Sequence, residues 1–198
     1  MKPVVSISLL LVSVVSVLPQ TKGTTTINQI DQYVRSIDKI TDRKKEPDLV
    51  VADVSGYDER VEKWQLFKSS ADLEKFREGT ETYSIANNWR ANGRIVESVF
   101  TLLSPSGDWA QYLTHYFRPD GSAAKVTSEM RTFNGDYIII REMYFTRRGK
   151  LLKRTVKYLD LTTKKPKKPD AEIDNGSEKE YYKKVSALPF YSLTRAKT

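Results

Sequence analysis

Between residues 24 and 47 the apolar positions Ile27, Ile30, Val34, Ile37 and Ile40 recur every three or four residues among polar neighbours. That spacing puts them on one stripe of an α-helix. Thr26 with Gln29 can form a capping box and Pro47 ends the run, so a helix over 26–45 is predicted, one that needs an apolar surface to cover. A shorter helix over 70–78 follows Ser69, with Leu73 and Phe76 as anchors. The stretch between the two helices reads as extended or irregular.

From residue 80 the punctuation changes. Glycines stand at 79, 93, 107, 121, 135 and 149, every interval being fourteen residues. Most follow Pro, Asn, Asp or Ser phrases of the kind that build a type I turn ending in a left-handed residue. Three loop residues of this kind close a hairpin with a glycine bulge. Eleven residues per strand then remain, about 36 Å at 3.3 Å each. The expected fold is α+β: a curved, long-stranded antiparallel meander of six strands over 80–161, packed with the N-terminal amphipathic helix. The phrases "NWRANGR" (88–94), "YFRPDGS" (116–122) and "YFTRRGK" (144–150) repeat every 28 residues and mark every second turn.

A constant three-residue loop implies a register in which even residues share one face and odd residues the other. The even face would carry Phe100, Leu102, Tyr112, Tyr116, Val126, Met130, Ile138, Ile140, Tyr144, Leu152, Val156 and Tyr158, with Glu142 opposite Arg154. The odd face is mixed. Trp89, Ile95, Phe117, Ala123, Phe145 and Leu151 lie in one end row, and Leu103, Trp109, Tyr137 and Leu159 in the other. Glu97, Gln111, His115, Lys125, Glu129 and Arg141 fill its middle.

The flanks add compartment and boundaries. Lys2 precedes an uncharged stretch from Val4 to Leu18, short for a membrane span and suited to a secretory signal over 1–23, cleaved near 20–23. The chain is expected to be exported, to a bacterial periplasm or outside the cell. It has no cysteine, so an exported fold stands without disulfides. A single domain over 24–161 is followed by a Pro/Lys-rich connector, 162–178, and an aromatic segment, 179–198, expected to dock on the body. The net charge of +8 suits contact with an anionic membrane or polysaccharide; nucleic acid is not expected for an exported chain.

Candidate chemistry is sparse. His115 is the only histidine, and the register sets it between Glu97 and Lys125, which makes His115 with Glu97 a candidate hydrolytic acid–base pair. No nucleophile elbow, phosphate loop or zinc motif accompanies it, so no catalytic residue, metal or cofactor is assigned and an enzyme is not expected. Trp89, Phe117 and Phe145 stand at equal offsets before turn glycines. With Trp109, Tyr137, His115 and Arg141 they form the candidate ligand set, aromatic rims around polar groups that orient an amphipathic molecule.

The hairpin phrases resemble those of MORN-type and YD-type repeats, in which an aromatic precedes a polar-glycine turn, although fourteen residues per strand exceeds the spacing of such repeats. The general plan resembles that of bacterial periplasmic lipid carriers and lipoprotein chaperones. The leading expectation is a non-enzymatic binding protein that holds a small hydrophobic or lipid-like molecule in the concavity of the sheet. The alternative is an envelope protein–protein interaction module that uses a sheet edge or the mixed face, which requires a closed core and an exposed aromatic patch instead of a cavity.

Overall fold

A computed structural model describes residues 26–57, 59–170, 173 and 181–195; the proposed signal segment lies outside them. Helix α1 spans Ile27–Thr41, with the Thr26–Gln29 capping box formed in both directions. It ends short of residue 45, its last carbonyls closed by the Asp42 N–H on Asp38 and the Lys44 N–H on Thr41. Strands β1 (Leu49–Asp53) and β2 (Trp64–Phe67) come next, followed by helix α2 (Ser70–Arg77), capped by the Ser69 hydroxyl. Six consecutive strands complete the sheet: β3 (Ser84–Ala91), β4 (Arg94–Leu103), β5 (Trp109–Phe117), β6 (Ala123–Thr132), β7 (Tyr137–Phe145) and β8 (Leu151–Asp160).

All eight strands form one curved antiparallel sheet in the order β2-β1-β3-β4-β5-β6-β7-β8. The expected count of six therefore falls short by the β1–β2 hairpin, which pairs onto the free edge of β3. Gly79 likewise ends α2 instead of a hairpin, its N–H reaching the Phe76 carbonyl. The other five glycines of the series have φ between 69° and 78°.

The uniform loop is corrected too. Three-residue loops with a following bulge occur at 119–121 and 147–149, where Arg118 bonds Ser122 and Thr146 bonds Lys150. Four residues separate Ser104 from Trp109, and four separate Thr132 from Tyr137. At Asn92–Gly93 the turn has only two residues, with φ of 50° and 72°, the twist-matched hairpin turn that requires positive φ at both positions.

Each added residue flips parity. Phe100 faces Leu113, Val126 faces Met143, and Met143 faces Arg154. From β4 onward, residues on one face therefore alternate between even and odd from strand to strand. Glu142 lies opposite Thr155 and pairs with Lys125 at 2.6 Å, not with Arg154. Tyr112, Tyr116, Ile138, Ile140 and Tyr144 part company with Phe100, Leu102, Val126, Met130, Val156 and Tyr158.

Two covers follow from this register. On the helix face, α2 and β1–β3 enclose Val50, Ala52, Phe67, Leu73 and Ile85, while α1 sets Ile30 and Val34 on Ala124 and Tyr144. Asp31 accepts from the Tyr144 hydroxyl at 3.0 Å, and Tyr33 donates to the Phe117 carbonyl at 2.5 Å, pinning α1 across β5–β7. On the opposite face Val51, Ala86, Phe100, Leu102, Leu113, Phe117, Val126, Met143 and Phe145 form the main core, closed by Leu188 and Phe190. This second face is called the tail face below. Burial of a side chain such as Phe190 stabilises by about 1.5–3 kcal/mol.

Candidate functional site

The tail is held by backbone geometry. Lys184 bridges Ser122; the Ala123 N–H donates to the Lys183 carbonyl and the Val185 N–H to the Gly121 carbonyl, both at 2.9 Å. Tyr182 donates its N–H to His115 Nε2 at 3.0 Å. Two 3₁₀ turns, Val185–Ala187 and Tyr191–Arg195, then carry Leu188 and Phe190 into the core, where Phe190 meets Trp64 and Phe100 ring to ring.

The candidate ligand residues are distributed between three places. Phe117, Phe145, Tyr137, His115 and Arg141 are buried on the tail face. Tyr137 gives its hydroxyl to the Lys168 carbonyl and to Asp170, and His115 stacks on Phe117 at 5.7 Å between centroids. Trp89 faces the other way, opposite Glu97 beneath α1. Trp109 sits at the loop end of β5, 37% exposed. Clefts among the described residues open at the strand ends, and none of these is lined by Phe100, Leu113, Phe117 or Phe190.

His115 and Glu97 are separated by the sheet, because the longer β4–β5 loop puts Ser98, not Glu97, opposite His115. Complete burial pushes the imidazole down to about 4, against backbone hydrogen bonds that favour its proton. It is a neutral acceptor for Tyr182. Burial pushes the Glu97 carboxyl up to about 7, reinforced by Asp38 and Asp42 and opposed by the Thr41 hydroxyl. Burial likewise raises the Tyr116 phenol beside Glu97 and Asp38. The two groups titrate in separate environments and make no proton relay.

The two ends of the sheet differ in chemistry. At the end formed by the β4–β5 and β6–β7 loops, Phe133 is 67% and Tyr57 70% exposed. Tyr57 meets Tyr83 edge to face at 5.9 Å. Trp109 lines both neighbouring clefts, one with Tyr57 and Tyr83, the other with Phe133 and Leu161. Asp53, Glu59 and Glu62 make the Tyr57–Tyr83 cleft acidic, whereas in the Phe133 cleft Asp108 stands with Arg131 and Lys164.

The end formed by the β3–β4 and β5–β6 turns is basic, a feature outside the candidate set. Arg90, Arg94, Arg118, Lys184 and Arg195 line a half-open cleft there, with Asp120 its one described carboxylate. The signal lies in the repeat itself: Arg90 and Arg118 each directly follow the aromatic of their phrase. Lys184 and Arg195 come from the distant tail and carry no such mark.

No protein-family model matches the chain, and neither a curated protein nor a solved structure matches it significantly.

Proposed function

We propose that this chain is an exported, non-enzymatic interaction module that grips an envelope partner protein through its aromatic end. The carrying observation is that the chain's own tail fills the sheet face expected to hold a ligand, with Phe190 fully buried, while Tyr57, Trp109 and Phe133 stay exposed at the loop end. Apolar side chains gathered at a strand end, with carboxylates on the Tyr57 side, suit a partner with apolar contacts and basic groups facing that side. Export is supported by the uncharged stretch from Val4 to Leu18.

A lipid-carrying role needs Leu188 and Phe190 to leave the core first, which exposes the apolar surface they cover. The interaction reading needs no such opening. It is tested by placing a photo-crosslinking phenylalanine analogue at position 133, or at position 152 on the β8 edge, in the exported protein in its own host. Specific protein adducts from 133 and not from 152 support the reading. Adducts from 152 alone move the interface to the sheet edge, and adducts from neither overturn the reading.

A further inference from the structure

The basic end carries a feature that partner binding at the aromatic end does not explain. Arg118 is 6% exposed, yet its guanidinium makes no ion pair with a described carboxylate. It donates to the carbonyls of Ala123 at 2.5 Å and Phe145 at 2.7 Å. Buried charges are ordinarily paired. The Asp120 charge acts on Arg118 without a direct bond, since its oxygens accept from the Ser122 backbone and hydroxyl and from Arg147 at 3.0 Å.

Two neighbouring cations are held in place by similar bonds. Arg94 donates to the Pro119 carbonyl and Arg90 to the Thr194 carbonyl, both at 2.8 Å. The Arg90 Nε is buried without a partner among the described residues. Each guanidinium has five N–H donors in a fixed fork, so donors remain even on Arg118, which also reaches the Ser122 hydroxyl at 3.5 Å. The cleft measures about 350 Å³, at the small end of the range for ligand pockets. Lys184 and Arg195 complete a ring in which positive charge exceeds negative by several units.

From this geometry we infer that the cleft between the β3–β4 turn, the β5–β6 turn and the tail binds a phosphate-bearing group of headgroup size. Planar guanidinium forks match phosphate oxygens two at a time, and fixing them through carbonyls removes much of their ordering entropy before the ligand arrives. The group has two possible sources sharing this chemistry, an anionic lipid headgroup or a soluble phosphorylated molecule. The inference is independent of the partner-binding reading, because it uses the opposite end of the sheet.

The test is calorimetric titration of the full chain with pyrophosphate, alongside flotation with vesicles of phosphatidylglycerol or of phosphatidylcholine. Saturable one-to-one binding of pyrophosphate, weakening as salt rises, is expected. Arg94→Ala and Arg195→Ala, both at exposed positions, should each weaken it about tenfold, the value of a charged hydrogen bond. Arg148→Ala, at the same end but outside the cleft, should change it less than about twofold. Flotation with phosphatidylglycerol that depends on Arg94 identifies the headgroup as the source; pyrophosphate binding without flotation identifies a soluble ligand. Binding to neither probe, or equal losses in Arg94→Ala and Arg148→Ala, overturns the inference.

Discussion

His115 Nε2 accepts the backbone N–H of Tyr182 at 3.0 Å, joining the middle of β5 to the start of the tail. Only an unprotonated Nε2 can accept that bond. The imidazole holds off its proton to about 4, against 6.5 ordinarily, because burial disfavours the charged form. Between those values the unfolded chain binds more protons than the folded one. The stabilisation is full above pH 6.5 and is lost as the pH falls toward 4, by on the order of 3 kcal/mol. In a Glu97→Gln background, which removes an opposing titration, urea unfolding across this range should show that acid limb, and adding His115→Gln should abolish it.

Glu97 works in the opposite sense. Its carboxyl is raised from 4.5 to about 7, so between those values the folded chain holds the extra proton. Its contribution is full below pH 4.5 and is lost as the pH rises through 7. In the overlap with His115 the two slopes oppose each other, and the wild-type curve should be nearly flat there. Glu97→Gln should uncover the rising His115 limb between pH 4.5 and 6.5, a difference readable in the same urea titrations.

The alternating parity separates two positions that a constant register places together. Tyr144 is buried against α1, whereas Val156 on the outer strand is 36% exposed. Tyr144→Ala should cost about 3–5 kcal/mol, and Val156→Ala less than about 1 kcal/mol. Large losses at both positions would restore the constant register.

Gly135 and Gly107 share a left-handed backbone, with φ of 69° and 77°, but not the same space. A Cβ on Gly135 would meet the Tyr137 ring at 2.7 Å, while one on Gly107 meets nothing within 4 Å. Gly107→Ala should cost about 1 kcal/mol from backbone strain alone. Gly135→Ala should cost clearly more, since the buried Tyr137 ring must also shift. Thermal unfolding of the two variants decides this.

What was legible in the sequence was local. The Thr26–Gln29 box and the glycine turns depend on residues within a few positions of one another, and β3–β8 follow the glycine interval. The face assignment depended on counting residues in loops, and single extra residues at Asp108, Asp136 and the two bulges reversed it. The β1–β2 hairpin was missed because β2 has only four residues, after a long polar connection. The basic cleft was hidden for a different reason: Arg90, Arg118 and Arg195 are brought together by the meander and by a tail that returns across it.

The account turns on the tail occupying the sheet face in the functional protein. The most direct measurement is native mass spectrometry of the full exported protein from its own host, followed by denaturing extraction of anything bound. The account predicts no stoichiometric lipid released from the core and no gain in lipid binding that follows loss of the His115–Tyr182 bond. A lipid recovered at one per chain, lost in Phe117→Ala and Phe145→Ala but retained in Arg94→Ala, would contradict it.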